Sequence, residues 1–332
     1  MRDVTAVRPP THGGVGDDPA VTIDFSTNAN ALGPSPTAIA ALAAADVAHY
    51  PDPTFAHVRT LLGRMHERHP GDVVVGAGAC ELIHRAVRVT GGPVLLLEPT
   101  FGEYRYAANA AGVAVRAVHD LDAFAHQLGS SALAVMCVPS SPAGHVLDGD
   151  QLTALAARAT DVGCRLLIDL AYHPLSQDRP TPPPSCWQLW APNKAHGVPG
   201  VRAGYLLAAP DDATRLRVAP SWVLSAHGAA FLCSITVPSA RRWVRTARTT
   251  LWRWRDELAA DLRAAGSAVE VGRANYLLAD VGDATATTAV LHAMGIGVRP
   301  ATSFGLPSLL RLSAQPPEAR ATLVTALRTV LA

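Results

Sequence analysis

Along the first two thirds of the chain, short β-branched or leucine-rich runs alternate with alanine-rich stretches of helical period. The runs VTIDFS, VVVG, VLLLEP, GVAVRAV, ALAVMCVP, RLLIDLA and GYLLA predict strands. Between them PTAIAALAAA, ACELIHRAVRVT, FGEYRYAANAAG and GDQLTALAARATDVG predict helices, each long enough to cross over between parallel strands. That alternation predicts a mostly parallel sheet covered by helices. Past a proline-bounded segment near Pro220, an amphipathic stretch from about Ala240 to Ala265 predicts a long connecting helix. Its Arg241, Arg242, Arg245 and Arg248 read as a solvated face. Trp243, Trp252 and Trp254 read as packing at a domain or subunit interface. In the last third, AVEVGRANYLLADV, GIGVRPA and LLRLSA predict strands and PPEARATLVTALRTVL a closing helix, together a smaller α+β unit. The segment TPPPS at 181–185 reads as a surface loop.

Composition narrows the class. With 332 residues the chain exceeds what one core usually holds, which predicts two domains or one large domain with an appendage. A hydrophobic content of 49% against 17% charged excludes a disordered chain. A net charge of +1 without a long run of one sign argues against a nucleic-acid partner. No apolar stretch approaches the roughly 20 residues that cross a bilayer. The N-terminal MRDVTAVRPPTHGG carries charges and prolines where a secretory signal is apolar, so the expectation is a cytoplasmic protein without a membrane partner. Cys80, Cys137, Cys164, Cys186 and Cys233 show no CxxC spacing and read as ordinary thiols. The histidines show no HxxxH or HExxH spacing, and no metal site is expected. One count points to chemistry: among 28 basic residues only Lys194 is a lysine. A chain drifting toward arginine loses lysines that serve solubility alone, and an amine does chemistry that an always-protonated guanidinium cannot.

Three segments carry that chemistry. In VVVGAGACEL a strand enters a glycine turn and a helix, which places the N–H groups of Gly78, Ala79 and Cys80 at a helix N-terminus, a site for an anion such as phosphate. A dinucleotide fingerprint is an alternative, with Gly76, Gly78 and then Glu98 about 20 residues on, although Glu81 stands at the third glycine position. A plain tight turn is another. In RLLIDLAYHPL, Asp169 ends a buried parallel strand at the edge where open α/β sheets bind ligands, and Tyr172 can present its hydroxyl to the same crevice. The bland reading has Asp169 capping the next helix with Tyr172 packed beside it. In APNKAHGVPGVRAGYLL, Lys194 sits in a loop punctuated by proline and glycine, with Arg202 eight residues later. Lysine, strand-end acid and anion-binding helix terminus together match the needs of pyridoxal phosphate.

The motifs THGG, IDFSTNANALGPSP, HYPDP, GAGACE, EPTFGEY, PSSPAG, IDLAY, NKAHGVPGVRAGYLL, GRANYLL, GVRP and LRLSA follow one another in an order that resembles the fold-type I aminotransferase superfamily. The resemblance is to the branch holding histidinol-phosphate aminotransferase and the L-threonine-O-3-phosphate decarboxylases. HGG, DFS-N-N-LGP and GRANYLL resemble the decarboxylase side. The resemblance implies an α/β fold, in which a large domain with a mostly parallel seven-stranded sheet between helices is joined to a smaller C-terminal α+β domain. The implied division is an N-terminal segment at 1–35 that contributes to the active site, a large domain at 36–235, and a small domain with its connecting helix at 236–332.

The implied cofactor is pyridoxal 5'-phosphate, with Lys194 as its Schiff-base lysine, Asp169 on the pyridine nitrogen, Tyr172 on the ring hydroxyl and Phe101 stacked on the ring. Arg202 and the glycine-turn amides of Gly78, Ala79 and Cys80 hold the cofactor phosphate, and Tyr50 reaches it from the other subunit of a homodimer. Arg311 takes the substrate carboxylate, while Arg299, His12 and Asn28 handle the substrate end and its phosphate. Three departures stand out. Ser141 replaces the asparagine that touches the ring hydroxyl, Leu170 replaces an acid, and Ala191 and Asn193 replace hydroxyl donors to the cofactor phosphate. The leading expectation is decarboxylation of L-threonine O-3-phosphate to aminopropanol phosphate in cobalamin biosynthesis. The alternatives are an aminotransferase of the histidinol-phosphate type and a binding protein that keeps the fold without the chemistry.

Overall fold

In the computed structural model, which describes residues 9–10, 13–16 and 18–331, the apolar runs become short strands, and VVVG, VLLL, LAVMC, RLLID and GYLL are buried on both faces. The first, β1 (Ile23–Asp24), stands apart. A large sheet then takes up β2 (Val73–Gly76), β3 (Val94–Leu97), β4 (Val115–Val118), β5 (Leu133–Cys137), β6 (Arg165–Asp169), β7 (Trp187–Trp190) and β8 (Gly204–Leu207). Their order is β2-β8-β7-β6-β5-β3-β4, parallel from β7 to β4, with β8 antiparallel to both β7 and β2. Pleating sends alternate side chains to opposite faces. Leu96, Val135 and Leu167 therefore meet Leu82, Ile83 and Tyr104 on one side. Leu95, Ala134, Met136 and Ile168 meet Phe124, Leu152 and Leu155 on the other.

The C-terminal part adds β9 (Val269–Val271), β10 (Tyr276–Asp280), β11 (Ile296–Gly297), β12 (Arg299–Pro300) and β13 (Leu309–Ser313). Four of these form an antiparallel sheet in the order β12-β13-β10-β9. Leu277, Leu310 and Leu312 of that sheet pack with Leu258 and Leu262 of the helix Pro238–Ala264 and with Leu323 and Leu327 of the closing helix Pro317–Leu331. This is the smaller C-terminal domain of a fold-type I arrangement. Among the described residues no helix is long and apolar enough to cross a membrane.

Several expectations change. VTIDFS does not join the large sheet: only Ile23–Asp24 is extended, and it pairs in parallel with β11. The strand stops because Asp24 Oδ1 accepts from the Ser26 N–H (2.7 Å) and the Ser26 hydroxyl (2.6 Å), a side-chain turn that competes with a ladder. Strand β7 carries two tryptophans and a glutamine rather than a β-branched run, and its Gln188 amide donates to the Pro182 carbonyl (3.2 Å). AVEVGRANYLLADV is two antiparallel strands, not one. The helices Ala56–Met65, Leu121–Gln127, Ala226–Ser234 and Ala284–Ala293 lie outside the predicted set. Arg248 is not solvated: it is 7% exposed, its guanidinium lies 5.3 Å from the Trp252 ring, and Nη1 donates to the Pro174 carbonyl (3.4 Å). Trp252 donates to the Leu175 carbonyl (2.9 Å) and Trp243 stacks on His196 (6.3 Å), so the tryptophans do tie the long helix to the large domain.

Three histidines are built into these contacts. His66 bonds the Tyr205 hydroxyl (2.8 Å), His173 packs edge-on against Trp190 (5.3 Å), and His196 bonds Ser35 (3.0 Å). Burial pushes each of them from 6.5 down to about 4. Each is neutral in the fold and takes up a proton more readily once unfolded. Their contribution is therefore full above about pH 6.5 and lost as pH falls toward about 4. The denaturant midpoint is expected to fall between about pH 7 and about pH 5, by on the order of a few kcal/mol in stability. A flat profile in urea titrations across that range would show that these rings stay hydrated.

Candidate active site

The C-terminal ends of β5, β6 and β7 open into a cavity of about 660 Å³, lined also by the N-terminal segment and by β12 and β13. Its floor is Asp169, the last residue of β6 and 5% exposed. Burial pushes the carboxyl upward, and it is offset by the Ala171 N–H, Lys194, the Tyr104 hydroxyl and the Cys137 thiol. The Ala171 N–H donates to Oδ1 (2.9 Å), and the Tyr104 hydroxyl donates to Oδ2 (2.9 Å). Cys137 stays a thiol, because burial pushes it up to about 12.

Lys194 projects from a single helical turn, Pro192–Ala195, and its Nζ donates to the Tyr172 hydroxyl at 2.8 Å. It lies 5.9 Å from the centre of the Phe101 ring. Tyr172 is buried, which pushes its hydroxyl up, but Lys194 and Arg311 outweigh that and hold it below its ordinary value. The N-terminal segment clamps the lysine turn. The Asn30 N–H donates to the Lys194 carbonyl (2.9 Å), the Asn30 amide to the Ala195 carbonyl (3.0 Å) and the Ser35 N–H to the His196 carbonyl (2.9 Å). Gly197 makes this fit possible: its φ is +66°, and a Cβ there would sit 2.3 Å from the Gly33 carbonyl oxygen.

Opposite the floor, Gly78 begins the helix Ala79–Thr90 with φ +87° and no side-chain cap. The first-turn N–H groups of Ala79 and Cys80 have no intrahelical partner, and both residues line the cavity. A Cβ on Gly78 would lie 2.8 Å from Arg202 Nη2, so the missing side chain leaves a cradle between a guanidinium and a helix N-terminus. Such a cradle suits a phosphate, and with Asp169 and Lys194 in the same cavity the residues fit a phosphorylated carbonyl cofactor. The dinucleotide reading does not survive, because Glu98 pairs with Arg105 away from the cavity and Glu81 pairs with Arg85.

At the far end, Arg299 and Arg311 are direct partners in the β12–β13 register, 4% and 6% exposed. Arg311 Nη1 donates to Ser141 Oγ (3.1 Å) and Nη2 to the Ser26 carbonyl (3.1 Å). Arg299 Nη2 donates to Ser303 Oγ (2.6 Å). Burial, and then Arg311, brings Arg299 down to about 10. Two cations opposite one another in a sheet repel, and an anion between them relieves that repulsion.

The structure gathers Ala79, Cys80, Phe101, Ser141, Asp169, Tyr172, Asn193, Lys194, Arg202, Asn28, Arg299 and Arg311 around one cavity. Asn193 turns its amide to the Pro199 carbonyl (3.3 Å). Tyr50 is 80% exposed and stacks on Trp222 (4.6 Å), outside the cavity, and His12 lies outside the described residues. Tyr104 and Tyr276 were missed. Tyr276 packs edge-on against Tyr172 (5.0 Å) and donates to the Ser140 carbonyl (2.6 Å). The signal for Tyr104 was its place three residues after Phe101, at the start of the predicted helix FGEYRYAANAAG.

Fold and cavity define a class: an α/β enzyme that works through a cofactor attached to a lysine. The family described as Aminotransferase class I and II matches residues 20–327, and the chain belongs to it. A histidinol-phosphate aminotransferase from Jannaschia sp. is 29% identical over 93% of this chain and 91% of that protein. The histidinol-phosphate aminotransferase of Sinorhizobium meliloti, solved with pyridoxal-5'-phosphate, superposes with TM-score 0.85 at 22% identity, over 94% of this chain and 91% of that one. The L-threonine-O-3-phosphate decarboxylase of Porphyromonas gingivalis superposes with TM-score 0.78 at 21% identity, over 93% and 99%. The protein is a pyridoxal-phosphate-dependent enzyme of this family.

Tyr104→Phe removes one donor to Asp169 without opening a cavity. The carboxyl is then expected to move further up and cofactor affinity to fall about tenfold, the worth of one hydrogen bond to a charged group. Equilibrium dialysis with pyridoxal phosphate reads this directly, and an unchanged dissociation constant would remove Tyr104 from the site.

Proposed function

We propose that this chain is an aminotransferase for a small phosphorylated amine, of the histidinol-phosphate type, working as a homodimer. The observation that carries the reading is the register pair of Arg299 and Arg311 in the same cavity as Lys194. A substrate whose anionic end rests on the two guanidinium groups can bring its amine to the lysine. The aminotransferase relatives support the same reading.

Bound pyridoxal phosphate supplies an electron sink for the carbon bearing the substrate amine. Asp169, held by the Tyr104 hydroxyl and the Ala171 N–H, would keep the ring nitrogen protonated. Arg202 and the first turn of Ala79–Thr90 would hold the cofactor phosphate, and Phe101 would lie against the ring. Lys194 Nζ, as the free amine, would take the proton from the substrate carbon and hold it as an ammonium. Tyr172, 2.8 Å away, orients that nitrogen.

A second reading, decarboxylation of L-threonine O-3-phosphate, is favoured by the seat of the HGG motif. A Cβ on Gly13 would lie 2.4 Å from the Ser26 carbonyl oxygen and 3.0 Å from Arg311 Nη2, so a glycine is what lets the chain at 13 come this close to the arginine. The deciding assay offers the loaded enzyme histidinol phosphate with 2-oxoglutarate, and separately L-threonine O-phosphate without a keto acid, and analyses products by mass spectrometry. Amino-group exchange in the first mixture is expected. Aminopropanol phosphate in the second would replace transamination by decarboxylation. Lys194→Ala is expected to abolish both the visible Schiff-base absorbance and turnover, and a fully active variant would end the enzyme reading.

The homodimer rests on an apolar face. Tyr50 stacks on Trp222, and both are exposed, as are Val47, Val218 and Ile39, the last on Pro36–Ala43, the helix that packs on Ala226–Ser234. Trp222→Glu is expected to yield monomers in sedimentation velocity and to weaken cofactor binding, because Tyr50 then loses the neighbouring site it serves. A dimer that persists would place the interface elsewhere.

A further inference from the structure

We propose that Ser141 and Ser303 are specificity-determining residues of the substrate's anion seat, each accepting a hydrogen bond from an arginine and donating its own proton to the bound anion. The inference rests on the phosphorylated-substrate reading above and assigns Ser141 to the substrate rather than to the cofactor ring. A guanidinium only donates. Ser141 Oγ receives from Arg311 Nη1 and Ser303 Oγ from Arg299 Nη2, so both oxygens are acceptors in these contacts and each hydroxyl keeps one proton to give. Both serines line the cavity, beside arginines that face each other across one register position. The seat thus offers two guanidinium groups and two hydroxyls at one place. A planar carboxylate has two oxygens to meet them, whereas a phosphate monoester has three charged oxygens in a tetrahedral array, which matches converging donors of both kinds.

Two further contacts fix Ser141 on this side. The Tyr276 hydroxyl holds the neighbouring Ser140 carbonyl (2.6 Å), so the loop is stitched to the sheet that carries Arg311. The Tyr172 side of the cavity has its own amide, since Asn28 Nδ2 lies 3.5 Å from the Tyr172 hydroxyl and Asn28 Oδ1 is buried without a partner.

The test compares Ser141→Ala and Ser303→Ala with the wild type, all loaded with cofactor, using matched probes: histidinol phosphate against histidinol, and L-threonine O-phosphate against L-threonine. Binding is read from the change in visible absorbance. Each alanine variant is expected to weaken the phosphorylated probe about tenfold and leave the unphosphorylated one unchanged, with recovery in Ser303→Thr. The pH titration of the Schiff-base absorbance is expected to stay where it is in Ser141→Ala. A shifted titration, or equal losses for both members of a pair, would overturn the proposal by making Ser141 a cofactor residue. A wild type that prefers phosphorylated probes beside variants that keep the preference overturns the serines alone. A wild type with no preference overturns the phosphorylated-substrate reading and the seat together.

Discussion

Asp169 sets the electrostatic problem that the cavity solves. A carboxyl at the end of a buried strand loses its water, and the loss drives it toward the neutral form. Tyr104, Ala171 and Cys137 return part of what water gave, but all three are neutral donors. Lys194 adds the positive charge that these donors lack. Among the described residues the cavity lining carries Lys194, Arg202, Arg299 and Arg311 against the carboxylates of Asp24 and Asp169. An excess of positive charge in the described lining favours anionic ligands.

Three parts of the chain have to agree for this balance to hold. The large sheet brings Asp169 and the lysine turn. The antiparallel sheet brings both arginines. The N-terminal segment touches each of the others: Asn30 and Ser35 hold the lysine turn, β1 pairs with β11, and the Ser26 carbonyl accepts from Arg311. Residues so close to the chain start are usually the least constrained. Here they are bridged by hydrogen bonds on both sides, and Gly197 and Gly13 are the positions where the approach is too close for a side chain.

What the sequence showed followed from strong local signals. VLLL, LAVMC and RLLID read as strands because a parallel sheet buries both faces and needs unbroken apolar runs, and VVVG because its antiparallel edge is buried as fully. β7 did not, since two tryptophans and a glutamine beside a proline-rich loop carry no period. VTIDFS looked like the others, yet its aspartate turns the backbone after two residues. Lys194, Asp169 and Arg202 were legible as chemistry, each being rare or placed at a strand end. Tyr104, Ser303 and the serine-to-arginine contacts were not, because hydroxyls are common and their meaning comes from a partner far along the chain. Arg248 was misread for a related reason: a helical stripe of arginines does not say which of them finds a tryptophan to lie on.

The reaction outcome hinges on where the anions go. A substrate bond breaks readily only when it is aligned with the electron sink, so whatever group an arginine restrains is a group that does not turn into that alignment. If Arg311 holds a carboxylate, the carboxylate is tethered and loss of carbon dioxide is disfavoured. If both arginines close on one phosphate, the groups at the reacting carbon are free to be set by Lys194 and Phe101 instead. Arg299 and Arg311 are opposite each other in register, and each is braced by a serine, which suits one multiply charged group at one place better than two separate ones. Histidinol phosphate presents a single such group and no carboxylate, so at its amine-bearing carbon the bond to hydrogen is the one that breaks without needing a carbon leaving group. L-Threonine O-phosphate presents both. On the proposed reading its phosphate would take the seat and leave the carboxylate untethered. The same two arginines would then suit transamination of the first compound and leave a route to decarboxylation of the second. The choice between them then falls to which phosphate ester the seat's depth admits.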